Sequence, residues 1–200
     1  METNVSNAEQ PLLNMAGEKV ALGPPRRDLM PLIQRWFNDF LVLRTIHPIR
    51  PLSIEVLEAA YTRGVNALNE VHFVVYERST LRPIGTSNLT NIVDQTAELG
   101  IMLGEKDTWR KGYGTEVARL MLDYGFNALG LHNILGIAYS FNEPSINMCV
   151  RAGFKVIGRR REVVSRGGRL HDHIYMECLS TEFESPGLQQ LLLDGENQEA

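Results

Sequence analysis

The chain has 200 residues, 44% hydrophobic and 22% charged, a length and composition with which one domain can bury a core of its own. A formal net charge of -4 with a pI near 5.8 excludes the basic surplus by which a dedicated nucleic-acid binder displaces counterions from phosphates. The two cysteines, Cys149 and Cys178, have neither CxxC spacing nor a histidine at metal-ligand distance, so no zinc site and no disulfide framework is indicated and a reducing cytoplasm fits. METNVSNAEQ lacks a basic region followed by an apolar run, so no secretory signal is expected; no apolar run is long enough to span a bilayer, and a soluble protein is expected.

Residues 1–18 and 185–200 are polar and read as poorly anchored, although Leu188, Leu191, Leu192 and Leu193 would suit one short terminal helix. Val20, Ala21 and Leu22 make a short strand closed by Gly23-Pro24-Pro25. Leu29, Leu32, Ile33, Trp36 and Phe37 recur on one helical face, and Ser53 is placed to cap a second helix running toward Asn69. From Val71 the period changes to strand: VHFVVYE, PIGTSNLTNIV and TAELGIML suggest an antiparallel meander. A loop at residues 104–112 leads to a helix over 114–129, with Val117, Leu120, Met121, Tyr124 and Ala128 on one stripe. Residues 134–139 read as a buried strand. Asn142 can cap the next helix, which Gly153 would end, and two strands joined near Gly167-Gly168 close an α/β architecture with a mixed sheet.

Chemistry concentrates after the third strand of the meander. ELGIMLG is followed by Trp109-Arg-Lys-Gly-Tyr-Gly-Thr-Glu116 and an amphipathic helix. Gly112 and Gly114 remove Cβ atoms where the backbone turns, so that successive N–H groups at a helix N-terminus can surround a pyrophosphate, with Arg110 and Lys111 adding positive charge. The spacing excludes two other phosphate loops, since no third glycine follows at Val117 and no GK[ST] completes a GxxxxGK frame.

With Asn142-x-x-Ser145 and Arg151-Ala-Gly-Phe154 on the following helix, this loop resembles that of the GNAT acetyltransferases, in the RimJ/RimL-like and spermidine N-acetyltransferase-like branch. The resemblance spans about residues 20–179, and implies a domain over 19–182 with a flexible segment before it and a tail after it. It implies a mixed, mostly antiparallel sheet flanked by helices and splayed between its fourth and fifth strands, where pantetheine lies like an extra strand. Residues 97–103 are then the fourth strand. The backbone of Met102 and Leu103 would contact pantetheine, Arg110, Lys111, Gly112, Tyr113, Gly114 and Thr115 the diphosphate, and Asn142 and Ser145 the far arm of acetyl-CoA. No metal is implied. The resemblance further implies a primary-amine acceptor (a polyamine, a peptide or a small molecule), direct attack in a ternary complex, and a homodimer or higher homo-oligomer.

An ammonium of pKa near ~10.4 must lose a proton before it attacks. Glu98, on the fourth strand, is the candidate base, acting through water; an ordinary exposed strand carboxylate is the alternative. Where related enzymes carry a tyrosine as acid, one turn beyond the serine, this chain has Cys149, either a thiol acid or core. Ser145 is the second candidate acid, or only a cap. His171, Asp172 and His173 alternate faces and read as surface polar residues, Arg159, Arg160 and Arg161 as guards of a sheet edge, and Trp109 as packing. An acyl-CoA-binding module without catalysis, or a structural domain with a fortuitous glycine loop, are the competing readings.

Overall fold

The structure, a computed structural model, describes residues 10–46 and 50–196. Met15–Ala16 (β1) pairs with Val20–Gly23 (β2), so the part of the N-terminal segment expected to be loose is stitched to the sheet from Asn14 onward; residues 1–9 lie outside the described residues. Met30–Trp36 (α1) forms as its spacing predicts. A one-turn helix at Phe40–Leu43 (α2) follows, capped by the Asp39 carboxylate, which accepts the Leu41 N–H; four residues are too few to show a period in sequence. Ile54–Asn66 (α3) starts where Ser53 accepts the Val56 N–H.

The meander is Val71–Glu77 (β3), Pro83–Val93 (β4) and Thr96–Leu103 (β5), each antiparallel to the last. Tyr113–Asp123 (α4) then crosses to Asn133–Tyr139 (β6), parallel to β5. Glu143–Ala152 (α5), Lys155–Arg166 (β7) and Arg169–Leu179 (β8) follow, and Leu188–Glu196 (α6) closes the chain. The sheet order is β1-β2-β3-β4-β5-β6-β8-β7, eight strands with one parallel pair among them. Because the two-residue β1 comes first, the expected fourth and fifth strands are β5 and β6 here.

Alternation decides what each sheet face meets. Val20, Leu22, Phe73, Val75, Leu89, Ala97 and Ile134 turn to one face and pack with Val117 and Met121 of α4 and Cys149 of α5. Met102 turns to the other face, where it packs with Trp36 and Val42 from α1 and α2. Gly104 is required by that packing: a Cβ there would lie 2.1 Å from Cδ2 of Trp36, whose ring is 2% exposed and whose Nε1 donates to Glu105 at 2.9 Å. Gly104→Ala is therefore expected to lower the urea midpoint, at unchanged m, by about 1–3 kcal/mol of stability.

The helix expected to run through Leu129 changes character at Tyr124–Ala128, a π-helical turn. Gly125 lies there, where a Cβ would come 2.5 Å from Ile134 Cδ1. Asp123, buried at the junction, accepts hydrogen bonds from Asn127 Nδ2, Ser185 Oγ and the Leu188 N–H, which ties down the start of a C-terminal segment expected to be unanchored. On α6 itself the expected helix forms, with Leu191, Leu192 and Leu193 exposed.

Candidate active site

β5 and β6 pair only from Thr96↔Asn133 to Leu99↔Gly136 and then part. The gap opens into a cleft of about 1290 Å³ that holds Glu98 to Leu103 on one side, Gly136 to Tyr139 on the other, and the first turns of α4 and α5 at its end. Neighbouring residues of a strand aim their peptide groups at opposite neighbours. The Gly104 N–H donates to Ile84 of β4, and the Met102 carbonyl lies 2.1 Å from where Gly85 would carry a Cβ, so Gly104 and Met102 serve the β4 ladder. Ile101 and Leu103 consequently face the gap. The Met102 peptide groups are thus turned toward β4, while those of Ile101 and Leu103 are open to the gap. Trp109 does more than pack, because its Nε1 donates to the Leu103 carbonyl at 2.9 Å and leaves the Leu103 N–H as the group toward the cleft.

At the end of the cleft Arg110 and Gly112 both have positive φ, 60° and 88°, and Gly112 is the N-cap of α4. No side chain caps this helix, and the first backbone bond back is Glu116 N–H to Gly112 carbonyl at 3.2 Å. The N–H groups of Tyr113, Gly114 and Thr115 are thus the open first turn, with Gly114 and Thr115 lining the cleft beside Arg110. Lys111 is exposed, and its carbonyl accepts from Lys19 Nζ at 3.1 Å. Tyr113 turns its hydroxyl away, donating to Glu77 at 2.9 Å. Glu116, quoted in sequence only as the end of the motif, accepts from the N–H groups of Glu18, Lys19 and Val20 and fastens β2 to the loop.

Asn142 caps α5 by accepting the Ser145 N–H at 3.4 Å, so the capping falls to Asn142 and leaves the Ser145 hydroxyl at the cleft wall. Cys149 is 5% exposed, its Sγ 3.6 Å from where Gly136 would carry a Cβ, and belongs to the main core while touching the cleft. Burial pushes its thiol up to about 11, and burial with help from Glu182 pushes Cys178 up to about 11. The unfolded chain releases these protons from about pH 9 while the folded chain keeps them, so the stability is complete below pH 9 and is lost as pH rises toward 11. The expected loss is roughly 3 kcal/mol per thiol, and Cys149→Ala should flatten the fall of the urea midpoint between pH 9 and 11.

Glu98 is half-buried on the face opposite α4, paired in register with Thr90 and Leu135, and its carboxylate has no partner among the described residues. Tyr139 and His173, opposite one another in register, line the same face with ring centroids 5.2 Å apart. His171, Asp172 and His173, expected at the surface, are all half-buried, and His173 joins the cleft wall. Asp172 accepts the Glu162 N–H at 2.8 Å and lies 3.3 Å from Arg159, so it fixes a bulge in the β7–β8 hairpin. Arg159, Arg160 and Arg161 are exposed on the edge strand, as expected. Among the described residues no cluster of His, Cys, Asp and Glu could hold a metal ion, and no helix is long and apolar enough to cross a membrane.

A sheet parted beside an open helix N-terminus defines a class, and comparison with known proteins agrees. The sequence profile of the acetyltransferase (GNAT) domain matches residues 19–155, so the chain belongs to the GNAT acetyltransferase family and is an acetyltransferase by family. It is 36% identical over 127 residues to a probable N-acetyltransferase, YjcK, of Bacillus subtilis (strain 168), covering 62% of this chain and 70% of that one. It is 32% identical over 114 residues to an uncharacterized N-acetyltransferase, p20, of Bacillus licheniformis, covering 56% and 63%. The fold matches that of spermidine N-acetyltransferase from Vibrio cholerae in complex with CoA and spermine, with a TM-score of 0.76 at 23% identity over 83% of this chain and 98% of that one.

Proposed function

We propose that the protein moves the acetyl group of acetyl-CoA onto a primary amine by direct attack within a ternary complex. The observation that carries this reading is the uncapped first turn of α4, opening on the gap between β5 and β6. The N–H groups of Tyr113, Gly114 and Thr115 would hold the diphosphate, with Arg110 and Lys111 adding charge, and Asn142 and Ser145 would border the far arm. Pantetheine would bond to Ile101 and to the Leu103 N–H, its thioester lying against the β5 backbone, whose fixed donors stabilise developing charge on the carbonyl oxygen.

Glu98 would take the ammonium proton through water, after which the nitrogen lone pair attacks the carbonyl carbon and the carbon–sulfur bond breaks. As the amide forms the nitrogen gives up its second proton to water, and the leaving thiolate ends as the CoA thiol by taking one proton up. Cys149 is poorly matched to supply it: transfer from a thiol near 11 to a thiolate of ordinary pKa near ~8.5 runs uphill by roughly 3 kcal/mol. Its role is packing under the gap. Water in the cleft is left to meet the sulfur, since Ser145 borders the far arm. Cys149→Ala is expected to keep kcat within about threefold, against the 10²-fold or greater loss typical of a removed acid.

The reading is tested by thiol release from acetyl-CoA across an amine panel, with product mass confirming acetylation. Amine-dependent release supports it. Tight CoA binding with no turnover on any amine would instead support a binding module, and no CoA binding by folded protein would leave a purely structural domain. Homodimerisation and a cytoplasmic location complete the proposal, supported by the family likeness and by two cysteines that are both free thiols.

A further inference from the structure

We propose that the acceptor is a monoamine carried on an apolar or aromatic body, and that polyamines are selected against. This rests on the acetyl-transfer reading. A polycation needs a carboxylate for each ammonium it brings into a partly desolvated cleft. Here the acids around the acceptor side are consumed by the protein itself. Glu105 pairs with Arg35 and accepts from Trp36 Nε1, and Asp39 caps α2 and pairs with Lys106. Asp172 holds the Glu162 N–H beside Arg159, and Glu177 accepts from Asn133 Nδ2 at 2.9 Å.

Among the described residues the carboxylates lining the cleft are Glu98 and Glu143, and Glu143 stands at the start of α5, on the coenzyme side. One free carboxylate therefore remains for one ammonium. A second ammonium farther along the acceptor would meet Arg44, which lines the cleft with no ion-pair partner among the described residues. The Tyr139 ring is taken as well, because the Arg166 guanidinium lies 5.5 Å from its centroid and the Phe141 ring stacks on it at 5.3 Å. What the acceptor wall does offer is Phe37, Leu41 and Ile46, surfaces for an uncharged body. The Vibrio cholerae neighbour was crystallised with spermine, but at 23% identity that likeness concerns the fold.

The test compares thiol release at saturating acetyl-CoA for 2-phenylethylamine, isoamylamine and cyclohexylmethylamine against spermidine and spermine, in the full chain and in Arg44→Glu. The expected result is a kcat/KM at least about tenfold higher for the best monoamine, and a polyamine-to-monoamine ratio that rises at least about fivefold in Arg44→Glu, since like charge across a cleft is a specificity device. Polyamines turned over as well as or better than every monoamine, or a ratio unmoved by Arg44→Glu, would overturn the proposal while leaving acetyl transfer in place. Release with none of these amines, by protein that still binds acetyl-CoA in calorimetry, would overturn acetyl transfer and the acceptor class together.

Discussion

Gly114→Glu is expected to weaken CoA binding at least about a hundredfold while leaving the fold intact. Gly114 is the second residue of α4, with glutamate a good helix former and an acidic side chain favourable in a first turn, so local structure does not oppose the change. A Cβ there would come 2.9 Å from Met148 Sδ, the far end of a flexible side chain that can swing aside. The new carboxylate, however, would stand where a diphosphate approaches the open N–H groups. Two unit charges 4 Å apart in a partly buried site repel by about 4 kcal/mol at an effective dielectric near 20, and about 2.7 kcal/mol already corresponds to a hundredfold. Calorimetric titration with CoA reads the loss, and an unchanged urea midpoint shows that the protein is still folded. Affinity within threefold of the parent would place the diphosphate somewhere else.

Glu98→Gln carries the second large effect, a fall in kcat/KM of about 10²-fold or more at pH 7, the usual contribution of a positioned base. The pH dependence separates a base from a residue that merely shapes the strand. An acceptor amine of pKa near ~10.4 gains about tenfold in its free-base fraction for each pH unit below that value. The variant, which must wait for amine deprotonated in solution, should therefore recover with rising pH, and the gap to the parent should close toward pH 10. A loss of constant size from pH 7 to 10 would assign Glu98 a structural role. Calorimetry with CoA should show near-parental affinity, because Glu98 lies on the sheet face opposite α4 and away from the open first turn.

Much of this arrangement was legible because it is written in periods and punctuation. The change from 3.6 to 2 at Val71 gave β3, β4 and β5 their limits, and Gly112-x-Gly114 before an amphipathic stripe marked a helix start able to meet an anion. Asn142 and Gly153 bounded α5, with the Gly153 φ of 118° showing why glycine stands there. What stayed hidden depends on pairing partners. That Ile101 rather than Met102 faces the gap follows from which strand β5 bonds to through Gly104, and a sequence carries no mark for the direction of a peptide group. The Glu116 clasp on residues 18–20 and the Asp123 anchor for Ser185 and Leu188 join positions 60 or more residues apart, beyond any local pattern. Cys149 could be named as acid or core from sequence, and its 5% exposure against Gly136 is a fact of tertiary packing. His173 reaches the cleft only because β8 lies between β6 and β7 in the sheet, an order that chain sequence does not announce.

The most direct test follows backbone amide resonances of the uniformly 15N-labelled protein during titration with CoA. Shifts concentrated at Gly112, Tyr113, Gly114 and Thr115, together with Ile101 and Leu103 and with Met102 moving less than either neighbour, are the expected result. Saturable binding that leaves the α4 amides unmoved and perturbs another surface would contradict the placement of coenzyme in the gap between β5 and β6.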